Sequence, residues 1–307
     1  MKKLFKKFHF LTFIAFFSLG LVTVSAQKSI SNSTGKEGSH EMAFNSAQSA
    51  GINTIAPADF AQQTTKLTYV LVHGAFHGGW CWSEVADILR SKGHKVFTPT
   101  FTGVGERAHL LNPQVDLNTF ITDIKAVIEN EELQNVILVG HSFGGAVISG
   151  VIDQMPARIA GAIYLDAPMG MNGKSVFDGA PADVRKARTD AAITVNGTMA
   201  IAPPSSKAFG LSVPAQIAWV DRRMTPMPFK SYETPLILKG KVGGDIPKRF
   251  IHAIQPVLPN IVPSAKYAKE NGWDYTEIPT GHDAMVSMPK ETAALLLSFA
   301  DTVSHKK

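Results

Sequence analysis

From Lys66 onward, short apolar runs typical of buried strands alternate with longer segments whose apolar residues recur at helical spacing. The predicted strands cover residues 67–72, 95–98, 135–139, 159–165, 249–254 and 275–278. The predicted helices cover 80–92, 117–130, 142–155 and 290–303, and Asp116 is placed to cap the second of them. Strands that alternate with helices in this way predict an α/β fold with a mostly parallel sheet and helices on both of its faces.

The alternation breaks between residues 169 and 240, where prolines, methionines and alanines accumulate without a sustained period. This segment is predicted to be a lid inserted into a core formed by 66–168 and 241–307. Its methionines and phenylalanines, Met169 and Met224 among them, suit an adaptable apolar substrate pocket. The alternative is that the same side chains form the core of the lid itself.

The first 65 residues are not expected to belong to the fold. Four lysines precede the apolar run 8–24, and the small residues Ser25 and Ala26 follow it. This pattern is typical of a cleaved secretory signal peptide over 1–26, and it predicts a secreted or periplasmic protein without stable membrane insertion. The alternative is an uncleaved anchor, since the run is nearly long enough to span a bilayer. Residues 27–65 are polar and aperiodic, as in a flexible leader.

Charge and cysteine content narrow the possible partners. Removing residues 1–26 takes away four lysines and no acidic residue, so the formal net charge falls from +5 to +1. No basic stripe with interleaved aromatic residues is present, and binding to nucleic acid is not expected. Cys81 is the only cysteine, which rules out a disulfide within the chain.

The segment Gly140-His141-Ser142-Phe143-Gly144 lies between a predicted strand and a predicted helix. Gly-x-Ser-x-Gly in this context is typical of a nucleophile elbow, a tight turn that exposes a serine at the carboxyl edge of a sheet. Ser142 is therefore the candidate nucleophile. The alternative is a glycine-rich turn with an incidental serine.

A serine nucleophile needs a general base and donors for the oxyanion. The base is expected late in the chain, after a strand, and His282 is placed there, whereas His252 lies inside a strand and His305 in the tail. The glycine-rich segment 73–80 follows the first strand, so we expect the backbone N–H of Ala75 to contribute to the oxyanion hole. The second donor is expected to be the backbone N–H of Phe143, the residue after the nucleophile. Gly74 and His141 are expected to border the substrate.

His73 and His77 lie in the same segment but have no carboxylate or third histidine spaced nearby to complete a metal site. Neither a metal nor another cofactor is expected. The predicted partner is a small-molecule ester, and the oligomeric state is left open.

Three motifs carry a resemblance to a known family: the segment 73–82, the elbow, and Gly281-His282-Asp283-Ala284-Met285. They resemble the α/β-hydrolase branch that holds plant methylesterases, hydroxynitrile lyases and related bacterial esterases. Segments 100–107 and 218–226 are similar to its bacterial esterase members. The resemblance covers roughly residues 66–300 and implies an α/β-hydrolase fold and a serine carboxylesterase that acts on small or medium apolar esters.

The resemblance does not identify the acid of the catalytic triad in this chain. The branch usually places an aspartate after the strand 249–254, where this chain has the run 255–259, which contains no carboxylate. Asp166, which ends the strand 159–165, is the best replacement because that end faces the same edge of the sheet. Asp245 lies before the later strand, and Asp283 is expected to point away from His282.

Two other functions are possible for a member of this branch, namely C–C cleavage by a hydroxynitrile lyase and non-catalytic ligand binding. Hydroxynitrile lyases of the branch have a threonine where this chain has Gly74 and a lysine where it has Asp283, which favours ester hydrolysis over C–C cleavage. The missing acid at the usual position leaves room for a non-catalytic homologue that binds a small ligand.

Overall fold

The computed structural model describes residues 66–304, except for the side chains of residues 301 and 304. The predicted signal peptide and leader lie outside the described residues. Six strands form one sheet in the order β2-β1-β3-β4-β8-β9, and every neighbouring pair is parallel. They are β1 (Thr68–Val72), β2 (Lys95–Phe97), β3 (Val136–His141), β4 (Ile159–Leu165), β8 (Lys248–Ala253) and β9 (Asp274–Ile278). The parallel sheet confirms the predicted fold class.

Helices cover both faces of this sheet. They are α1 (Ser83–Ser91), α2 (Leu117–Asn130), α3 (Gly144–Gln154), α7 (Val262–Glu270), α8 (Ala284–Ser287) and α9 (Pro289–Ser304). Side chains alternate between two hydrophobic clusters along each strand: in β1, Val70 and Val72 join one cluster, and Tyr69 and Leu71 join the other. The first cluster includes the apolar faces of α2 and α3, and the second those of α1 and α9. A sheet buried on both faces explains why its strands are apolar runs rather than alternating patterns.

The predicted bounds of the core elements differ from the observed ones by a few residues. Helix α2 spans the predicted residues, and the Asp116 carboxylate accepts from the Thr119 N–H while the Thr119 hydroxyl accepts from the Asp116 N–H. The helix predicted from Trp80 begins instead as a 3₁₀ turn over Gly79–Trp82 and becomes α-helical at Ser83. None of the helices in residues 66–304 has the length and apolar character needed to cross a bilayer.

The segment between β4 and β8 contains the region predicted to be a lid. It holds the helices α4 (Ala182–Asp190), α5 (Pro214–Asp221) and α6 (Lys230–Glu233). It also holds a small antiparallel sheet of β5 (Ala192–Val195), β6 (Thr198–Ile201) and β7 (Met227–Pro228). Sequence analysis missed this sheet, although Asn196-Gly197, both with positive φ, is a typical two-residue hairpin turn.

Candidate active site

Ser142 follows β3 in a turn that forces its φ to 51°, in the left-handed region. Glycines make the turn possible: a Cβ on Gly140 would lie 2.8 Å from Gly144 O, and one on Gly144 would lie 2.8 Å from His73 O. The Ser142 N–H donates to Leu165 O at 3.2 Å, which fixes the turn against the end of β4. This is the strained conformation that a nucleophile elbow requires.

His282 and Asp166 complete a hydrogen-bonded chain with Ser142. Ser142 Oγ lies 2.7 Å from His282 Nε2, and His282 Nδ1 lies 2.6 Å from Asp166 Oδ2. Because an ionised carboxylate only accepts, Nδ1 carries the proton and Nε2 is left free to accept from the serine. The structure brings together the three residues predicted as nucleophile, base and acid.

Asp166 is held in place by the end of β8. Its φ is 43°, its N–H donates to Ile251 O at 2.7 Å, and its Oδ1 accepts from the Ala253 N–H at 3.0 Å. The side chain is fully buried, with one oxygen on the backbone of β8 and the other on His282. At the position where the resemblance implies an acid, the Gln255 N–H donates to Thr280 O in the loop that precedes the base.

The segment 73–80 is shaped by its own histidines. The Phe101 N–H donates to His73 Nε2 at 3.1 Å, so the His73 proton lies on Nδ1, which donates to Gly74 O at 2.8 Å. Burial lowers the pKa of His73 to about 3, and its ring therefore stays neutral. The hydrogen bond to Gly74 O fixes the peptide plane that carries the Ala75 N–H.

The predicted oxyanion donors, Ala75 and Phe143, both line the cavity in front of Ser142. Neither N–H donates to another protein group within residues 66–304. Phe143 also immediately precedes the N-terminus of α3, where the helix dipole favours negative charge. This arrangement can stabilise an oxyanion on a carbonyl attacked by Ser142.

Asp283, the residue after the base, has a role that sequence analysis did not find. It was expected to point away from His282, and it does not line the cavity. It is fully buried, with Oδ2 3.3 Å from His77 Nε2 and Oδ1 3.8 Å from His141 Nε2. No signal in the sequence identified the two partners, because His77 lies in the loop after β1 and His141 ends β3, both far from Asp283 along the chain.

Only one of the two histidines beside Asp283 favours the charged form. Burial opposes a charged His77, but the Asp283 carboxylate and the hydrogen bond from His77 Nδ1 to Ala75 O outweigh it and raise its pKa. For His141, burial and repulsion from His282 and His77 lower the pKa well below the usual value. His77 and Asp283 therefore form a buried ion pair, and the neutral His141 donates through Nε2 to His282 O at 3.0 Å.

The cavity in front of Ser142 has a volume of about 90 Å³. Most of its wall is apolar or aromatic. Two of these residues were predicted near the site, Phe143 as an oxyanion donor and Phe209 among the lid phenylalanines. Sequence analysis did not identify the others, which are Phe76, Pro168, Val176, Tyr232 and Leu258. Arg188 and Asn260 add polar groups. The pocket therefore suits an apolar molecule with one polar end.

Of the four residues predicted to border the substrate, His141 lines this cavity, but Gly74, Met169 and Met224 do not. Gly74 is covered by the elbow, since a Cβ there would lie 2.8 Å from both His141 Nδ1 and Ser142 Cβ. Met169 is buried, and its carbonyl accepts from the Ser149 hydroxyl. Met224 packs against the hydrophobic core, so both methionines have the alternative role of core residues.

Metal ligands and a reactive thiol were also considered as sources of chemistry, and the described residues supply neither. Within residues 66–304, no three His, Cys, Asp or Glu side chains converge in a way that could hold a metal ion. Cys81 is buried, and burial raises the pKa of its thiol, which keeps it protonated and unreactive.

Known proteins share both the sequence and the fold. Residues 69–295 match the sequence model of the alpha/beta hydrolase family. A carbendazim hydrolyzing esterase of Nocardioides sp. is 40% identical over 75% of this chain and 98% of the relative. Methylesterase 2 of Arabidopsis thaliana is 32% identical over 36% of this chain and 42% of the relative.

Among solved structures, an extracellular alpha/beta-hydrolase of a Paenibacillus species superposes with a TM-score of 0.66 at 28% identity, over 76% of this chain and 98% of that one. It is described as sharing structural and functional homology with tobacco salicylic acid binding protein 2. The family model matches most of the described residues, and the parallel sheet and the strained turn at Ser142 agree with it. The chain is therefore a member of the alpha/beta hydrolase family.

Proposed function

We propose that this ester-hydrolysing alpha/beta hydrolase is a serine carboxylesterase that cleaves small or medium apolar esters through an acyl-enzyme. The observation that carries the proposal is the continuous hydrogen-bonded chain from Ser142 Oγ through His282 to Asp166, at 2.7 Å and 2.6 Å. Through these hydrogen bonds, His282 can take the proton of Ser142, and the buried Asp166 carboxylate can stabilise the resulting imidazolium.

In the acylation step, Ser142 Oγ attacks the carbonyl carbon while His282 Nε2 accepts its proton. The carbonyl oxygen becomes negative and is stabilised by the N–H groups of Ala75 and Phe143. As the tetrahedral intermediate collapses, His282 gives the proton to the alkoxide, and the alcohol leaves. Asp166 remains ionised throughout and keeps the imidazole in the tautomer that faces Ser142.

In the deacylation step, a water molecule takes the place of the alcohol. His282 removes a proton from this water, and the hydroxide adds to the acyl carbon to form a second oxyanion in the same site. Collapse of this intermediate returns the proton to Ser142 Oγ and releases the carboxylic acid. One water is consumed per ester, and the serine and histidine return to their starting protonation states.

The size and composition of the cavity support small aryl or alkyl esters as substrates. Four aromatic side chains, Phe76, Phe143, Phe209 and Tyr232, form part of its wall beside aliphatic ones, and its volume is about 90 Å³. The 40% identical relative is named for the hydrolysis of carbendazim and is covered almost completely by this chain. A compact aromatic ester is therefore a suitable first probe.

The alternative of cyanohydrin cleavage is not favoured. The lyases that the chain resembles have a threonine at the position of Gly74, but a Cβ there would lie 2.8 Å from Ser142 Cβ. Where they have a lysine, Asp283 is turned towards His77 and His141 rather than towards the cavity. The non-catalytic alternative is also not favoured, because the replacement acid Asp166 meets His282.

The protein is further proposed to act outside the cytoplasm, after cleavage of the signal peptide near Ala26. The support is the charged start, the apolar run and the small residues that follow it. N-terminal sequencing of the exported protein tests this, with Gln27 as the expected first residue. An intact Met1 in the membrane fraction would indicate an anchor instead.

Hydrolysis of p-nitrophenyl esters of graded acyl length, by the wild-type protein and by Ser142→Ala, tests the proposed function. The wild type is expected to prefer short or medium acyl groups, and the variant is expected to lose nearly all turnover while its circular dichroism spectrum is unchanged. Activity within a few-fold of wild type in the variant would contradict the mechanism. Release of cyanide from mandelonitrile by the wild type, but not by the variant, would support a lyase.

A further inference from the structure

One side chain in the cavity does not suit a purely apolar substrate. Arg188 lines the same cavity as Ser142, and an arginine side chain remains charged at every physiological pH. No aspartate or glutamate is among the residues that line the cavity. His77 also lines the cavity, but it is paired with Asp283, whereas Arg188 is a positive group of the wall without a carboxylate partner within residues 66–304.

Arg188 reaches the cavity from α4, on which it is the only described residue that is not exposed. Its guanidinium carbon lies 5.1 Å from the centre of the Tyr232 ring. Tyr232 is buried, and its ring centre lies 5.1 Å from that of Phe143, the residue after the nucleophile. The guanidinium is thus two ring contacts away from the elbow, and it lines the same cavity as Ser142 without touching it.

The charge of Arg188 is not neutralised by the protein within residues 66–304. It makes no ion pair with a carboxylate there, although Asp178, Asp183 and Asp190 lie nearby in the sequence. Asp190 pairs with Lys186 at 2.6 Å, and Asp178 accepts from the Ser175 N–H and hydroxyl. Arg188 lies against the Tyr232 ring and donates a hydrogen bond to the Tyr232 hydroxyl. These neutral contacts orient the guanidinium but leave its positive charge available to a ligand.

We propose that this cavity selects esters that carry a second, anionic group, and that Arg188 binds that group with help from the Asn260 amide. This inference rests on the proposed esterase function and specifies its substrate class. A guanidinium offers two parallel N–H donors that match the two oxygens of a carboxylate, so a carboxylate is the group that fits best. The substrates are therefore half-esters of dicarboxylic acids, in which an apolar chain separates the ester from the free carboxylate.

The chemistry is unchanged by this assignment. Ser142 Oγ adds to the ester carbonyl carbon, the bond to the alkoxy oxygen breaks, and the alcohol leaves with the serine proton. Water then hydrolyses the acyl-enzyme and restores the Ser142 hydroxyl. The products are the alcohol and a dicarboxylic acid whose second carboxylate never takes part in the reaction. Arg188 is a specificity residue, since it contacts the remote group and not the reacting atoms.

Steady-state kinetics with matched esters tests the proposal. Monomethyl adipate and monomethyl suberate carry the second carboxylate, whereas methyl hexanoate and dimethyl adipate are neutral. Arg188→Gln is the test variant, and Arg185→Gln is its control, because Arg185 is exposed on the same helix and does not line the cavity. The wild type is expected to have a higher kcat/KM for the half-esters, and Arg188→Gln is expected to lower that value about tenfold or more, mainly through KM.

The loss of kcat/KM in Arg188→Gln should be several-fold smaller for the neutral esters than for the half-esters, and Arg185→Gln should behave like wild type with every ester. Equal losses for charged and neutral esters in Arg188→Gln, or no preference of the wild type for half-esters, would overturn the proposal. The failure of the esterase function itself would look different, since the wild type would then turn over neither class of ester.

Discussion

His77 Nε2 and Asp283 Oδ2 lie 3.3 Å apart, and both side chains are buried, with His77 at the wall of the active-site cavity and Asp283 behind it. The pair joins two loops that catalysis needs. His77 belongs to the loop of the oxyanion donor Ala75, to whose carbonyl it donates at 2.7 Å, and Asp283 directly follows the base His282. The buried ion pair thereby holds the loop of the oxyanion hole in a fixed position relative to the base.

Asp283→Asn is expected to lower the free energy of unfolding by about 3–5 kcal/mol, because it leaves a buried imidazolium without its counter-charge. Urea unfolding at pH 6 measures the change. Asp245→Asn is the matched control, because Asp245 pairs with Lys241 while 89% exposed and should leave the free energy of unfolding almost unchanged. Equal effects of the two variants would show that the buried pair contributes nothing.

The same pair predicts a pH dependence. The pKa of His77 is raised in the folded state above its ordinary value of 6.5, so the folded protein holds this proton more tightly than the unfolded chain does. The resulting stabilisation is complete below pH 6.5 and is lost as the pH rises through the folded pKa. We expect the difference in unfolding free energy between wild type and His77→Gln to shrink as the pH is raised from 6 to 9. A difference that grows over this range would contradict the assignment.

The core of the fold and the central chemistry could be predicted from the sequence, because each depends on order along the chain. Strands buried on both faces are apolar runs, and their carboxyl ends share one edge in a parallel sheet. A serine after β3, an aspartate after β4 and a histidine after β9 therefore had to approach one another. The structure places Asp166 and His282 in hydrogen-bonding contact although 116 positions separate them.

Other features depend on side-chain packing that local sequence does not encode. The lid sheet was missed because its strands are two to four residues long and carry no clear period. Met169 and Met224 suggested a pocket by composition, yet they pack into the core while Phe209, Tyr232 and Arg188 line the cavity. The partners of Asp283 likewise come from the loop after β1 and from the end of β3, which meet only in the folded chain.

Gly74→Ala tests the close contact between the oxyanion loop and the elbow. Its Cβ would lie 2.8 Å from His141 Nδ1 and Ser142 Cβ, so the loop or the elbow must move. We expect a loss of stability of about 1–3 kcal/mol, and turnover should fall as well. Gly179→Ala is the control, since its Cβ would meet nothing closer than 3.7 Å. Full activity in Gly74→Ala would show that the loop is less constrained than this contact implies.

Asp166→Asn tests the acid. The amide can still accept from His282 Nδ1, but it cannot stabilise the imidazolium by charge, and it can also stabilise the wrong tautomer. We expect kcat to fall about 10²–10⁴-fold without a change in fold, measured with a p-nitrophenyl ester. Gln255→Ala should remain within about tenfold of wild type, because the Gln255 hydrogen bond to Thr280 uses its backbone. The reverse outcome would move the role of the acid to the run after β8.

The acyl-enzyme itself provides the most direct test of the central claim. The protein is mixed with excess p-nitrophenyl acetate, quenched in acid within the first turnovers, and analysed by intact mass and peptide mapping. The account predicts one acetyl group, on the peptide that carries Ser142, and none in Ser142→Ala. An acetyl group on another residue, or enzyme-dependent hydrolysis that persists in Ser142→Ala, would contradict it.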